Sequence, residues 1–139
     1  MSELPDFNTI RDTMTLVDDW EEKYAYIIAL GGKLPTYPED KMDKAHEVPG
    51  CMSRVWMDYD WQGGTFNMRL QSDAVIVKGL LGILTSIYGG KTADQILATD
   101  PKAMFEALGL GGKLTQNRRD GFVAVANRIR TLAQVQTES

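Results

Sequence analysis

The chain has one cysteine and one histidine in 139 residues. A single cysteine cannot form an internal disulfide, so the fold must be held by its core. Nor can it build a zinc or iron–sulfur site from thiolates, which takes several. No metal site and no resident cofactor are expected. Long apolar runs are also missing. The longest apolar-rich stretch, residues 74–88, is broken by Lys78, Gly79, Gly82, Thr85 and Ser86. It is too short and too interrupted to span a bilayer. The first twelve residues are polar and carry acids, unlike a secretory signal, so the expected location is the cytoplasm. Positive charge is in deficit: 15 Lys and Arg against 19 Asp and Glu, a net charge of -4. That balance excludes the basic footprint of a general nucleic-acid binder. The one basic concentration, residues 118–130, is moderated by Asp120. Repeats, low-complexity tracts and interdomain linkers are absent, and one domain over residues 1–139 is expected.

What is present suffices for a core. Hydrophobic residues make up 43% of the chain, the share of an ordinary globular protein. Residues 9–17 predict a short helix, with Ile10, Met14 and Val17 on one face. Asp18 or Asp19 caps a second helix with Glu21 and Glu22 in its first turn. Trp20, Tyr24, Ile27 and Ile28 form its core stripe, and Gly31-Gly32 ends it. Residues 31–49, with three prolines and many charges, read as a surface segment. Residues 53–61 and 65–70 read as strands joined by a Gln62-Gly63-Gly64 turn. Val55, Met57 and Tyr59 share one face of the first strand; Arg54, Trp56 and Asp58 share the other. A third strand near residues 44–48 would complete a sheet that two strands alone sustain poorly. Ser72 or Asp73 then caps an apolar helix over residues 74–88, whose Gly79 and Gly82 imply close packing against a neighbour. Thr92 and Gln95 form a capping box for a helix over residues 93–98. Asp100-Pro101 opens another, to about Leu108. Thr115 caps the last, residues 116–133, with Phe122, Val125, Ala126, Ile129 and Leu132 inward. The class is α+β, a small antiparallel sheet of about three strands packed with helices.

Cys51 is the candidate for chemistry. It follows Pro49-Gly50, a turn dipeptide, and precedes the first strand. Loops held by a rigid scaffold carry function more often than periodic segments do. The residues alone leave two readings open, an inert buried cysteine and a working thiol. His46 is the only base a hydrolase could pair with it, and nothing in the spacing fixes their geometry. Thiol or persulfide exchange asks less: a thiolate, access for one sulfur partner and protection between transfers. Arg54, Lys44 and Arg118 are cations that could help ionise the thiol. Ser72 and Asp73 could hold the cysteine loop, although ordinary capping accounts for them equally. Arg118 and Arg119 stand in the first turn of a helix, where cations oppose the dipole, which hints at acid partners elsewhere.

Four blocks resemble the SufE family of sulfur acceptors, including its CsdE branch. They are residues 20–31; the block Val48-Pro49-Gly50-Cys51-Met52-Ser53-Arg54-Val55-Trp56; residues 72–80, beginning Ser72-Asp73-Ala74; and residues 114–121, containing Arg118-Arg119-Asp120. The resemblance implies a fold shared with the iron–sulfur scaffold protein IscU. It implies that Cys51 takes persulfide sulfur from a pyridoxal-phosphate-dependent cysteine desulfurase of the SufS or CsdA kind and raises that enzyme's turnover. The sulfur would then pass to an iron–sulfur scaffold complex of the SufBCD kind, the pyridoxal phosphate staying on the partner. Arg118 matches the family's arginine near the start of the last helix, and Ser72-Asp73 match polar residues before its central helix. Met52 and Arg54 depart from the glutamines common at those positions. Two other classes remain: a module that activates the desulfurase allosterically without carrying sulfur, and a cysteine hydrolase working through His46.

Overall fold

A Gly-Gly pair, Gly63-Gly64, forms the exposed turn of a β-hairpin. The computed structural model describes residues 4–50, 53–110 and 114–138. In it, strands β1 (Val55–Gln62) and β2 (Thr65–Ser72) pair antiparallel, with Gln62 opposite Thr65. Gly63 and Gly64 have φ of 61° and 84°, the left-handed pair that a two-residue hairpin turn requires. β2 buries Phe66, Met68 and Leu70 on alternate positions. β1 breaks the alternation, because Trp56 and Asp58 are buried alongside Val55 and Met57. The cause is residues 33–48, which cover the outer side of β1. There Tyr37 is buried and its hydroxyl donates to the Lys41 carbonyl at 2.9 Å, while Lys41 Nζ lies 3.3 Å from Asp58.

The expected third strand does not form. Lys44–His46 is a single 3-10 turn capped by Asp43. One bridge, Glu47 to Trp56, joins this segment to β1, and Val48 N–H donates to the Val55 carbonyl at 2.8 Å. Pro49 has no N–H to continue the ladder, and Gly50 turns left-handed at φ 89°. The sheet therefore has two strands among the described residues.

Among the described residues six α-helices surround this hairpin: α1 (Phe7–Leu16), α2 (Trp20–Gly31), α3 (Val75–Tyr88), α4 (Ala93–Leu97), α5 (Pro101–Ala107) and α6 (Gln116–Thr137). Asp6, Asp19, Asp100 and Thr115 cap four of them, and Thr92 with Gln95 forms the capping box of α4. The cap expected for α3 is different. Its N-cap is Ala74, with no side-chain bond, because Ser72 and Asp73 are engaged elsewhere. α3 runs through the core, burying Ile76, Leu80, Leu81, Ile83, Leu84 and Ile87. Its glycines meet α2 directly: a Cβ at Gly79 would stand 2.7 Å from the Ile27 carbonyl carbon, and one at Gly82 3.0 Å from the Leu30 oxygen. α6 buries the five residues its spacing predicts, Phe122, Val125, Ala126, Ile129 and Leu132. No helix among the described residues is long and apolar enough to cross a membrane.

Candidate functional site

The loop that carries position 51 leaves the sheet between two paired residues, Val48 and Val55. Cys51 and Met52 lie outside the described residues, so the site is defined by what holds the loop's two ends. On the leading side, Gly50 is exposed at φ 89° and its Cα faces Ala124 of α6, 3.4 Å from where a Cβ would sit. Any other residue there would be strained by the backbone conformation rather than by lack of room.

On the trailing side the anchor is Arg54, and it is held by four hydrogen bonds and a ring stack. Its backbone N–H donates to Asp73 Oδ1 at 3.2 Å. Its carbonyl accepts from Ser72 Oγ at 2.8 Å and from the Asp73 N–H at 3.4 Å. Its side-chain Nε donates to Glu47 Oε1 at 3.1 Å. The guanidinium carbon stacks 4.9 Å from the Trp56 ring centre, within cation–π range. Ser72 Oγ also accepts from the Ala74 N–H at 3.2 Å, so one buried hydroxyl ties the loop's end to the entry of α3. The ion pair straddles the neck, since Glu47 precedes the loop and Arg54 follows it. Trp56, only 4% exposed, has an indole N–H with no partner among the described residues.

Ser72 and Asp73 therefore meet at one point, the Arg54 backbone. Arg118 does not join them. Its backbone N–H takes the Thr115 cap, and its Nη1 donates to the Tyr24 hydroxyl at 2.6 Å, with the guanidinium 6.0 Å from that ring's centre. It clasps α6 to α2. His46 is held by Asp43, whose carboxylate accepts from the His46 backbone N–H at 3.1 Å and lies 2.6 Å from Nδ1. That contact keeps the Asp43 pKa below its ordinary value. Sequence reasoning missed Glu47 and Trp56 as supports of the loop. Their position either side of Pro49-Gly50 carried a signal only once the Val48–Val55 pairing was known. No cluster of three or more His, Cys, Asp or Glu that could hold a metal occurs among the described residues.

Fold and site together define a small α+β protein with one thiol, borne on a loop anchored at its neck. The same fold occurs in the solution structure of a hypothetical protein from Thermus thermophilus, at a TM-score of 0.77 with 96% of each chain covered and 18% identity. Residues 8–133 match the family model described as SufE, an Fe-S metabolism associated domain. The chain is 37% identical over 122 residues to the sulfur acceptor protein CsdE of Escherichia coli strain K12, covering 87% of this chain and 83% of that one. It is 38% identical over 130 residues to an uncharacterized SufE-like protein of Rhizobium etli, covering 91% and 88%. The chain belongs to the SufE family.

Proposed function

We propose that this protein accepts sulfur on Cys51 from a pyridoxal-phosphate-dependent cysteine desulfurase, stimulates that enzyme, and delivers the sulfur to an iron–sulfur scaffold complex. The observation that carries the reading is the anchored neck. Ser72, Asp73, Glu47 and Trp56 all converge on Arg54, three positions after the only thiol. Family membership and the likeness to a sulfur acceptor supply the direction of the chemistry.

The step is an exchange of sulfur–sulfur bonds. The Cys51 thiolate attacks the outer sulfur of the donor's persulfide. A new bond forms between Cys51 Sγ and that sulfur, the donor's own S–S bond breaks, and the donor leaves as a thiolate. Oxidation level is conserved over the pair, so no external oxidant is needed. An acceptor thiolate repeats the exchange on the Cys51 persulfide. The chain's own residues supply position: a neck fixed by hydrogen bonds limits where the thiol can reach, which is how an intermolecular transfer gains orientation. The pyridoxal phosphate that generates the donor persulfide belongs to the desulfurase.

The test is mass spectrometry of the intact chain after incubation with a desulfurase and cysteine. Wild type should gain one sulfur atom, removed by a thiol reductant, and Cys51→Ser should gain none. Full stimulation of desulfuration by Cys51→Ser would refute sulfur acceptance as the mechanism.

A further inference from the structure

Helices α5 and α6 enclose a groove of about 270 Å³. Its floor is apolar. Phe105 and Phe122 pack with ring centres 5.0 Å apart, flanked by Val123 and Pro101. Two cations border it, Lys102 and Arg119. Neither has an acidic partner among the described residues, although the sequence makes Arg119 an anomaly in the first turns of α6.

The hydrogen bonding of Arg119 is half complete. Its Nη2 donates to Gln116 Oε1 at 2.9 Å, while its Nε is buried with no acceptor among the described residues. These two nitrogens form one edge of the guanidinium. That edge matches the two oxygens of a carboxylate, which accept from both at once. A single amide oxygen satisfies only one of them, and a buried donor without an acceptor is a standing cost. Asp120, the nearest acid in sequence, does not fill the place, because its Oδ1 accepts from Gln116 Nε2 at 2.7 Å. Glu106 on the opposite rim leaves the groove with one cation in excess. The site therefore suits a single carboxylate beside an apolar side chain, and disfavours a run of acids.

The groove is continuous with the cysteine loop. Lys102, Arg119 and Val123 also border an open depression that extends along α6 to Ala124, and Ala124 is the residue that faces Gly50. A partner reaching Cys51 from this side covers the groove. We propose that the α5–α6 groove is a docking site for the cysteine desulfurase. It would take one acidic residue of that enzyme side-on at Arg119, displacing Gln116, and an adjacent apolar side chain on the Phe105–Phe122 floor. This rests on the sulfur-acceptor reading above.

The test uses full-length chains and a purified desulfurase. Affinity is measured by calorimetry at two salt concentrations, in the Cys51→Ser background so that no sulfur moves. Arg119→Met should weaken binding about tenfold and flatten its salt dependence, since a hydrogen-bonded charge pair is lost. Arg119→Lys should restore only part of the affinity, because it keeps the charge without the two-donor edge. Lys102→Gln, at the rim, should cost about two- to threefold. Unchanged thermal midpoints show that the variants fold. If wild type gains sulfur and Arg119→Met binds as tightly as its parent, the groove assignment is overturned and the acceptor reading stands. If wild type neither binds the desulfurase nor gains sulfur, both fall.

Discussion

At the scale of single residues, the loop's neck depends on two neighbours with different tasks. Ser72 is buried and serves two backbone groups at once, the Arg54 carbonyl and the Ala74 N–H. Ser72→Ala should cost about 1–3 kcal/mol in urea denaturation, the usual penalty for stranding buried polar groups. Asp73 is exposed, and among the described residues its carboxylate holds only the Arg54 N–H. Asp73→Ala should cost about 1 kcal/mol or less, yet speed hydrogen exchange at Arg54, which native-state exchange followed by NMR would detect. A slower or unaltered Arg54 amide would mean that the carboxylate does not restrain the neck. Asp58 is a different kind of residue, an acid buried at 7% exposure between Arg69 and Lys41. Burial pushes its pKa up, but hydrogen bonds and charge from Arg69 and Lys41 outweigh it, and the net pKa lies below the ordinary 3.8. The unfolded chain therefore binds this proton more readily than the folded one. The stabilisation is present above pH 3.8 and is lost as pH falls through the lower folded pKa. Asp58→Asn should lower stability near neutrality by about 2 kcal/mol, less than the roughly 3–5 kcal/mol of a fully buried pair, because both cations stay partly wet. The gap between variant and parent should close on acidification, as equilibrium unfolding across the acid range will show.

At the scale of elements, the contact between α2 and α3 is set by glycine. Gly79 and Gly82 each cost α3 about 1 kcal/mol in intrinsic helix propensity. They are tolerated because the α2 backbone at Ile27 and Leu30 occupies the space a side chain would need. Gly79→Ala should thus destabilise the protein by about 2 kcal/mol or more despite its better propensity, since backbone cannot move aside as a side chain can. A rise in thermal midpoint would contradict that packing. The need for close approach was legible in the sequence; the partner helix was not. Most helices were legible too, because their caps and apolar stripes follow local rules, and the unread cap of α1, Asp6 to the Thr9 N–H, is equally local. What local rules misplace lies around the site. Ser72 and Asp73 look like caps for α3, and only the long-range Arg54 contact shows otherwise. The third strand fails because residues 44–46 wind into a 3-10 turn, and past Val48 the Pro49-Gly50 turn that serves the cysteine loop stops the ladder. Burial of Trp56 and Asp58 depends on residues 33–48 folding back over β1, which no periodicity within β1 encodes.

At the scale of the whole molecule, the hairpin and the helices have no separate means of support. A two-stranded ribbon is marginal in water, and here Phe66, Met68 and Leu70 share one continuous core with α1, α2, α3 and α6. Tertiary contact, rather than propensity, must then hold both layers. The sequence places its reporters well for a test. Trp56 and Trp61 stand in β1 and Trp20 in α2, while far-ultraviolet circular dichroism follows mainly the helices. Urea unfolding observed by tryptophan fluorescence and by dichroism should give one coincident transition, as expected of a single cooperative unit. Two separated midpoints would show that the hairpin detaches while the helices persist. Coincidence would have a functional consequence. The neck at Arg54 joins the first residue of β1 to the entry of α3, so it sits where the two layers meet. In one cooperative unit this junction opens locally only by breaking its own hydrogen bonds. The cost of opening the neck is then fixed by the contacts that Ser72, Asp73, Glu47 and Trp56 make to Arg54, and not by loosening of the sheet.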